Sequence, residues 1–308
     1  MALKRSVLWG VNGHNAAYPA YNKKNTDEAI RLAAELGSTI YRFNCNPTSE
    51  SWLAYVRDVV QKCHGYGMQV MLVMDDFSGT VEDVAARMTV IARELKNEVE
   101  YFQIFNETDC WAACKDKEDG GGLYNISDPT GQSASYFNPK RVPIAVEKMR
   151  AATEVWHKEA PEAKLVINIG ARHYPMLEWY RDAGITWDVV GVDIYEPWDY
   201  HTFFRMLEEK FPHCDMMVAE CNYPSNNGPY KEEDQAAWLQ NFITTMNAYD
   251  SDKLKAVIVY ELLDQPNIQP TDKWEGEAHF GLVHVAEDLT VTTPKPAYYT
   301  VQKLYKGE

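Results

Sequence analysis

Two glutamates stand where they can do chemistry together. Glu107 follows the apolar run Tyr101-Phe102-Gln103-Ile104-Phe105 and Asn106, and Glu220 follows Met216-Met217-Val218-Ala219. A carboxylate that ends an apolar run does not belong to a solvated helix face. If both runs end at one pocket, the pair supplies what glycosidic cleavage needs. One carboxyl protonates the departing oxygen, and the other attacks the sugar carbon or activates water. For either Glu alone, a structural ion pair at the edge of a sheet is the competing reading.

Other polar residues end apolar runs in the same way: Asn12 and His14, Arg42 and Asn44, Asp75 and Asp76, Asn168, Asp193, Tyr195 and Trp198, Tyr260 and Glu261. His14, Asn44, Asp76 and Asn168 are candidate partners for substrate hydroxyls, although Asp and Asn at strand ends also serve as loop caps. Aromatic residues make up 12% of the chain, enough to line a cleft as well as a core. Pyranose rings present C–H faces that stack on indole and phenol rings. Trp198 and Tyr260 are the first candidates for such platforms, with Tyr195, Tyr223, Trp111 and Trp274 beside them.

The elements that must position these residues alternate along the chain. Eight short apolar runs start near residues 7, 39, 69, 101, 165, 189, 216 and 256. Most are continuously apolar, which suits strands buried on both faces of a parallel sheet. Between them the period becomes helical: Val81, Val84, Met88, Ile91 and Leu95 share one helix face, as do Trp238, Leu239, Phe242, Ile243 and Met246. Further helices are predicted over about 25–37, 49–66, 140–160, 173–184, 199–211 and 295–305, the fourth-run helix ending before Pro161. Eight strand–helix pairs without a second composition zone predict an α/β fold, a single-domain (β/α)8 TIM barrel over 1–308. A doubly wound open sheet would carry a Gly-rich phosphate turn after the first strand, and Gly10-Val11-Asn12-Gly13-His14 is not of that form. The long stretch at about 108–139 is predicted as an irregular loop after the fourth strand, on the face where barrel active sites are built.

With that topology, Asn106-Glu107 after strand 4 and Glu220 after strand 7 resemble the signature of clan A of the glycoside hydrolases, which are retaining barrel enzymes. The resemblance implies that Glu107 is the general acid/base and Glu220 the nucleophile. It further implies that Asn106 binds the sugar 2-hydroxyl, that Arg42 holds the nucleophile ionised, and that Tyr195 hydrogen-bonds it. Glu220-Cys221-Asn222-Tyr223-Pro224-Ser225 and Glu277-Ala278-His279-Phe280-Gly281-Leu282 are similar to segments of endo-1,3-β-glucanases of that clan, and Lys295-Pro296-Ala297-Tyr298-Tyr299 resembles a common clan ending. Many members carry Trp after strand 8, where this chain has Tyr260-Glu261; Glu261 is therefore a third candidate carboxylate. Carboxyls about 5–5.5 Å apart leave no room for water between them and favour double displacement.

Composition narrows the alternatives. The chain has 30 basic and 45 acidic side chains, a net charge of −15, which disfavours a general grip on nucleic acid or anionic lipid. No apolar run approaches the length of a membrane span. No strand ends in the Lys of a Schiff-base enzyme, and His14 lacks the partner of a His-x-His metal site. Cys110 and Cys114 can pair as a disulfide in an oxidising compartment; a zinc site there lacks further ligands at suitable spacing. Two carboxyls and water suffice, so no metal or organic cofactor is expected. The reading is a monomeric retaining endo-β-glycanase acting on a β-linked polysaccharide or oligosaccharide. The alternatives are an exo-acting β-glycosidase, or a non-catalytic carbohydrate-binding barrel. Met1–Arg5 opens without a long apolar segment. The expectation is a secreted protein whose signal is absent from this sequence, a cytoplasmic location remaining the alternative.

Overall fold

A computed structural model describes residues 2–46, 48–127, 130–159, 162–223, 230–268 and 276–308. Pro129, Pro161, Pro224, Ser225 and Trp274 lie outside the described residues. The first half of the chain runs β1 (Leu8–Asn12), α1 (Thr26–Leu36), β2 (Ile40–Asn44), α2 (Glu50–Gly65), β3 (Gln69–Met74), α3 (Val81–Leu95), β4 (Tyr101–Ile104), α4 (Thr108–Ala112) and α5 (Arg141–Glu159). The second runs β5 (Lys164–Gly170), α6 (Pro175–Asp182), β6 (Val189–Ile194), α7 (Tyr200–Lys210), β7 (Asp215–Cys221), α8 (Glu232–Ala248), β8 (Leu254–Val259), β9 (Val283–Val285), β10 (Val291–Pro294) and α9 (Pro296–Lys306). Strands β1 to β8 pair in parallel and in order, and β8 returns to β1, closing the barrel. Among the described residues no helix is long and apolar enough to cross a membrane.

Local signals explain the helices. Thr80 and Asp83 form a reciprocal capping box at the start of α3, whose Val84, Met88, Ile91 and Leu95 turn inward and are fully buried. Helix α1 stops at Gly37, which takes the left-handed conformation with φ 91°. The outer core lies between the strands and the helical ring. Helix α9 completes that ring: Tyr298 Oη donates to the Leu32 carbonyl in α1 (2.8 Å), and Tyr305 Oη to that of Gly10 in β1 (2.9 Å).

The barrel interior has a second, separate core. Ile40, Met71, Val166, Val189, Met217, Ala219, Ala256 and Ile258 are all fully buried there, as strand alternation requires. Two residues further along the same faces the inward positions turn polar: Ile40 gives way to Arg42, Tyr101 to Gln103, and Val166 to Asn168.

One strand breaks this alternation. Val192 pairs with Val218, but the next pair is Asp193 with Glu220, so Ala219 is an extra residue on β7; the β7–β8 register shifts at the same place. Strict alternation after the inward Ala219 would point Glu220 at the helices. The bulge turns it toward the barrel mouth. The antiparallel pair β9–β10, which the sequence pattern did not reveal, follows β8. The buried Lys295 ammonium ties its far end back, donating to Asp264 (2.6 Å), Tyr230 Oη (3.1 Å) and the His279 carbonyl (2.9 Å).

Candidate active site

Arg42 organises the mouth from the end of β2. Its Nη1 donates to Glu220 Oε1 (2.7 Å) and Asn12 Oδ1 (2.7 Å), and its Nη2 to Asn106 Oδ1 (2.8 Å). Nη2 and Nε both reach Gln103 Oε1, at 3.1 and 3.2 Å. All five guanidinium donors therefore have acceptors, which a buried Arg needs. Burial works against the Arg42 charge, but Glu220 and Asp193 more than offset it, and its pKa lies above the ordinary value.

Glu220 is held at both oxygens. Opposite the Arg42 contact, Tyr195 Oη donates to Oε2 at 2.6 Å. Burial and then the Glu220 charge push the Tyr195 phenol well above its usual pKa, so it remains a donor. The Tyr195 ring stacks on Phe280, with centroids 5.3 Å apart.

Glu107 is delivered by a different device. Strand β4 ends at Ile104, and Phe105 and Glu107 take left-handed backbone angles, φ 58° and 44°. Such angles are uncommon for residues with side chains and persist where surroundings over-determine them. Here the Glu107 N–H donates to Asn168 Oδ1 (3.1 Å), while Phe105 packs edge-on against Phe77. The Glu107 carboxyl lies over Gly170, where a β-carbon would stand 2.8 Å from Oε1. Burial, then the charges of Glu220 and Asp109, raise the Glu107 pKa to about 8. Asp193 is raised as well, first by burial and then by Glu220 and Glu107, so these carboxyls titrate together.

Asn106 sits at the centre. Its Oδ1 accepts from Arg42, from Gln103 Nε2 (3.0 Å) and from Asn168 Nδ2 (2.9 Å). Three N–H donors converge on that atom, so the amide orientation is determined, and its NH2 makes no hydrogen bond among the described residues. A half-buried amide with its donor end free suits a ligand hydroxyl.

A second cluster lines the side formed by β1 to β3. His14 stacks on Tyr18 (3.9 Å), with Nδ1 against Asn44 Oδ1 (2.8 Å) and Nε2 against Tyr260 Oη (3.2 Å). Asn44 Nδ2 in turn donates to Asp75. Tyr260 bridges the halves, its ring edge toward both Tyr195 and His14.

The structure thus gathers Arg42, Asn106, Glu107, Asn168, Tyr195 and Glu220 into one network, with His14, Asn44 and Tyr260 beside it. Four expected residues make other contacts. Asp76 caps Ser78 and pairs with Arg87 (3.2 Å), because the chain turns away from the barrel at that point; Asp75 is the residue that joins the cluster. Glu261 is fully buried, accepting from Tyr21 Oη (2.9 Å) and Gln265 Nε2 (2.7 Å), with His14 Nε2 3.2 Å away; it supports His14 and cannot touch a ligand. Trp198 packs against Tyr200, Phe203 and Arg172. Trp111, in α4, likewise packs against Phe77 and Arg141. Cys110 and Cys114 are free thiols: Cys114 Sγ turns to the Cys110 carbonyl (3.2 Å) rather than to its sulfur.

Gln103, Tyr18 and the Asp109–His173 pair escaped the sequence reading. Gln103, like Asn168, is an amide inside an apolar run, and that anomaly was the available signal.

No family model matches the chain, and no curated protein sequence matches it. Solved structures do. The family 1 β-glucosidase from Thermotoga maritima superposes with a TM-score of 0.71 at 12% identity, covering 98% of each chain. The β-glycosidase BGL167 gives 0.66 at 15% identity, covering 99% of this chain and 97% of that one. Fpglu1 from a Fervidobacterium gives 0.69 at 12%, covering 99% and 96%. At such identities the likeness is one of fold.

Proposed function

We propose that this protein is a retaining β-glycosidase. Glu220 is the nucleophile and Glu107 the acid/base. The observation that carries the reading is the unequal treatment of two carboxyls in one network. Glu220 is gripped by a guanidinium and a phenol, both donors to its oxygens. Glu107 is held in a setting that favours its protonated form. That division is what double displacement requires.

In the first step a Glu220 oxygen attacks the anomeric carbon while Glu107 gives its proton to the departing oxygen. In the second, Glu107, now a carboxylate, takes a proton from water, and that water displaces Glu220; the two inversions give net retention. Burial is the larger cause of the raised Glu107 pKa, but the Glu220 charge that adds to it disappears when Glu220 becomes an ester, which eases the change of Glu107 from acid to base. Asn106 offers its free NH2 to the hydroxyl beside the reacting carbon.

On mode of action, the names of the fold neighbours, β-glucosidases and a β-glycosidase, favour removal of a terminal sugar over the internal cleavage expected from the sequence. A panel of aryl β-glycosides and β-glucan, mannan, xylan and galactan polymers tests the reading. Release of monosaccharide with the β-anomer formed first supports it. Binding without turnover of any member would support a non-catalytic barrel, and oligomer release from polymers alone would restore the internal-cleavage reading.

A further inference from the structure

Just beyond Glu107 lies a polar cluster that the hydrolytic scheme does not use. It is made by Asp109 and Cys110 of α4 and by His173, between β5 and α6. Asp109 Oδ2 lies 2.6 Å from His173 Nδ1 and accepts from the Gly170 N–H at 3.0 Å. Cys110 Sγ is 3.6 Å from the same Oδ2 and 3.9 Å from the same Nδ1. These three atoms lie within 4.8 Å of one another.

The arrangement is not a nucleophilic triad. Thiol and carboxylate approach one nitrogen of the imidazole, so the ring cannot relay a proton between them. The other nitrogen is backed by Gly131, where a β-carbon would lie 2.5 Å from Nε2 and 2.1 Å from Cδ2; only glycine, here at φ 64°, fits. Nδ1 is thus the nitrogen available for ligation.

The separations suit a cation instead. Tetrahedral zinc with one S, one N and one O ligand spaces those atoms about 3.3–3.6 Å apart. Two of the three separations are near that range. The third, now a hydrogen bond, widens when a cation replaces the shared proton. An independent observation points the same way. Asp109 Oδ1 is buried without a hydrogen-bond partner among the described residues, on a carboxylate only 1% exposed. A buried carboxylate with one oxygen lacking a donor is costly, and a cation bound by that carboxylate offsets part of its charge. Cys110 is only half-buried, which leaves an approach from the cleft.

We propose that Asp109 Oδ2, Cys110 Sγ and His173 Nδ1 form a site for one thiophilic divalent cation of the Zn²⁺ class. Its fourth position is open to water or to Glu107. A β-carbon on Gly170 would lie 2.7 Å from Cys110 Sγ and 2.8 Å from Glu107 Oε1, so thiol and carboxylate are neighbours across that glycine. On binding, the thiol proton passes to solvent and the neutral imidazole carries its single proton on Nε2; no electron is transferred. A cation that recruits Glu107 occupies that carboxyl and inhibits hydrolysis. This consequence rests on the acid/base role proposed above, whereas binding itself does not.

The test uses the full chain, freed of metal by a chelator and titrated with Co²⁺, then with Zn²⁺. The expected result is one Co²⁺ per chain, a thiolate-to-cobalt absorption band, and displacement by one equivalent of Zn²⁺. Cys110→Ser loses the band, His173→Gln weakens binding at least tenfold, and Cys114→Ser keeps both band and affinity. Circular dichroism checks that each variant is folded. Absence of the band in the wild-type protein at stoichiometric Co²⁺ overturns the proposal. So does a band that survives Cys110→Ser and vanishes in Cys114→Ser. Each of these readouts is independent of whether any glycoside is cleaved.

Discussion

The floor and the mouth of the barrel are built on the same inward faces of the same strands, two residues apart. At the floor, Ile40, Val166, Met217 and Ile258 interdigitate and no polar atom needs a partner. At the mouth, Arg42, Gln103 and Asn168 are nearly as buried and Asn106 half-buried, yet their polar groups are tied to one another, mostly across strands, with only the Asn106 NH2 left free among the described residues. The floor tolerates any apolar residues of suitable volume. The mouth does not, because removing one member strands the others without partners in a low-dielectric site. A parallel barrel can therefore hold its shape with one layer and fix a catalytic geometry with the next.

The contrast can be broken most sharply at the carboxyls. Glu220→Ala is expected to lower kcat/KM on the order of 10⁴-fold or more while the protein stays folded, measured with the best aryl glycoside and circular dichroism. Arg42→Met is expected to cost stability of about 3–5 kcal/mol, because it leaves Glu220 buried without its cation, and to abolish turnover as well. Met217→Ala at the floor is expected to cost about 2–5 kcal/mol, yet to leave kcat/KM per folded molecule nearly unchanged; chemical denaturation beside kinetics separates the two layers. If both substitutions damage catalysis alike, the layers are not distinct.

A gentler probe is pH. The free enzyme needs Glu107 protonated, and its pKa is raised, so kcat/KM should fall as pH rises through about 8. That limb belongs to the coupled Glu107 and Asp193 carboxyls rather than to one residue. In Glu220→Gln the nearby negative charge is gone, so the Glu107 titration followed by carbon NMR should move downward; an unmoved titration would remove Glu220 as a cause. Asp76→Asn should have the smallest effect, within about 1 kcal/mol of stability and without change in kcat/KM, because Asp76 serves its own turn.

The barrel was legible because parallel strands buried on both faces read as unbroken apolar runs, and because Val84, Met88, Ile91 and Leu95 keep a helical period. Asn106 and Glu107 were legible as polar residues at the end of such a run. The direction of Glu220 was not, since it depends on an extra residue in β7 that only pairing with both neighbours reveals. Glu261 looked equivalent to Glu220 for the same reason: both follow an apolar run, and only the fold tells the buried prop from the mouth residue. Asp109 and His173 stand 64 residues apart and are joined by adjacent strand ends, so no local spacing could announce them.

Covalent trapping tests the account most directly. The 2-fluoro analogue of an aryl β-glycoside that the protein hydrolyses, bearing a good leaving group, should inactivate it with one label per chain. Peptide mass spectrometry should place that label on Glu220. A label on Glu107 or Glu261, or inactivation-free turnover with an inverted anomer, would contradict the assignment.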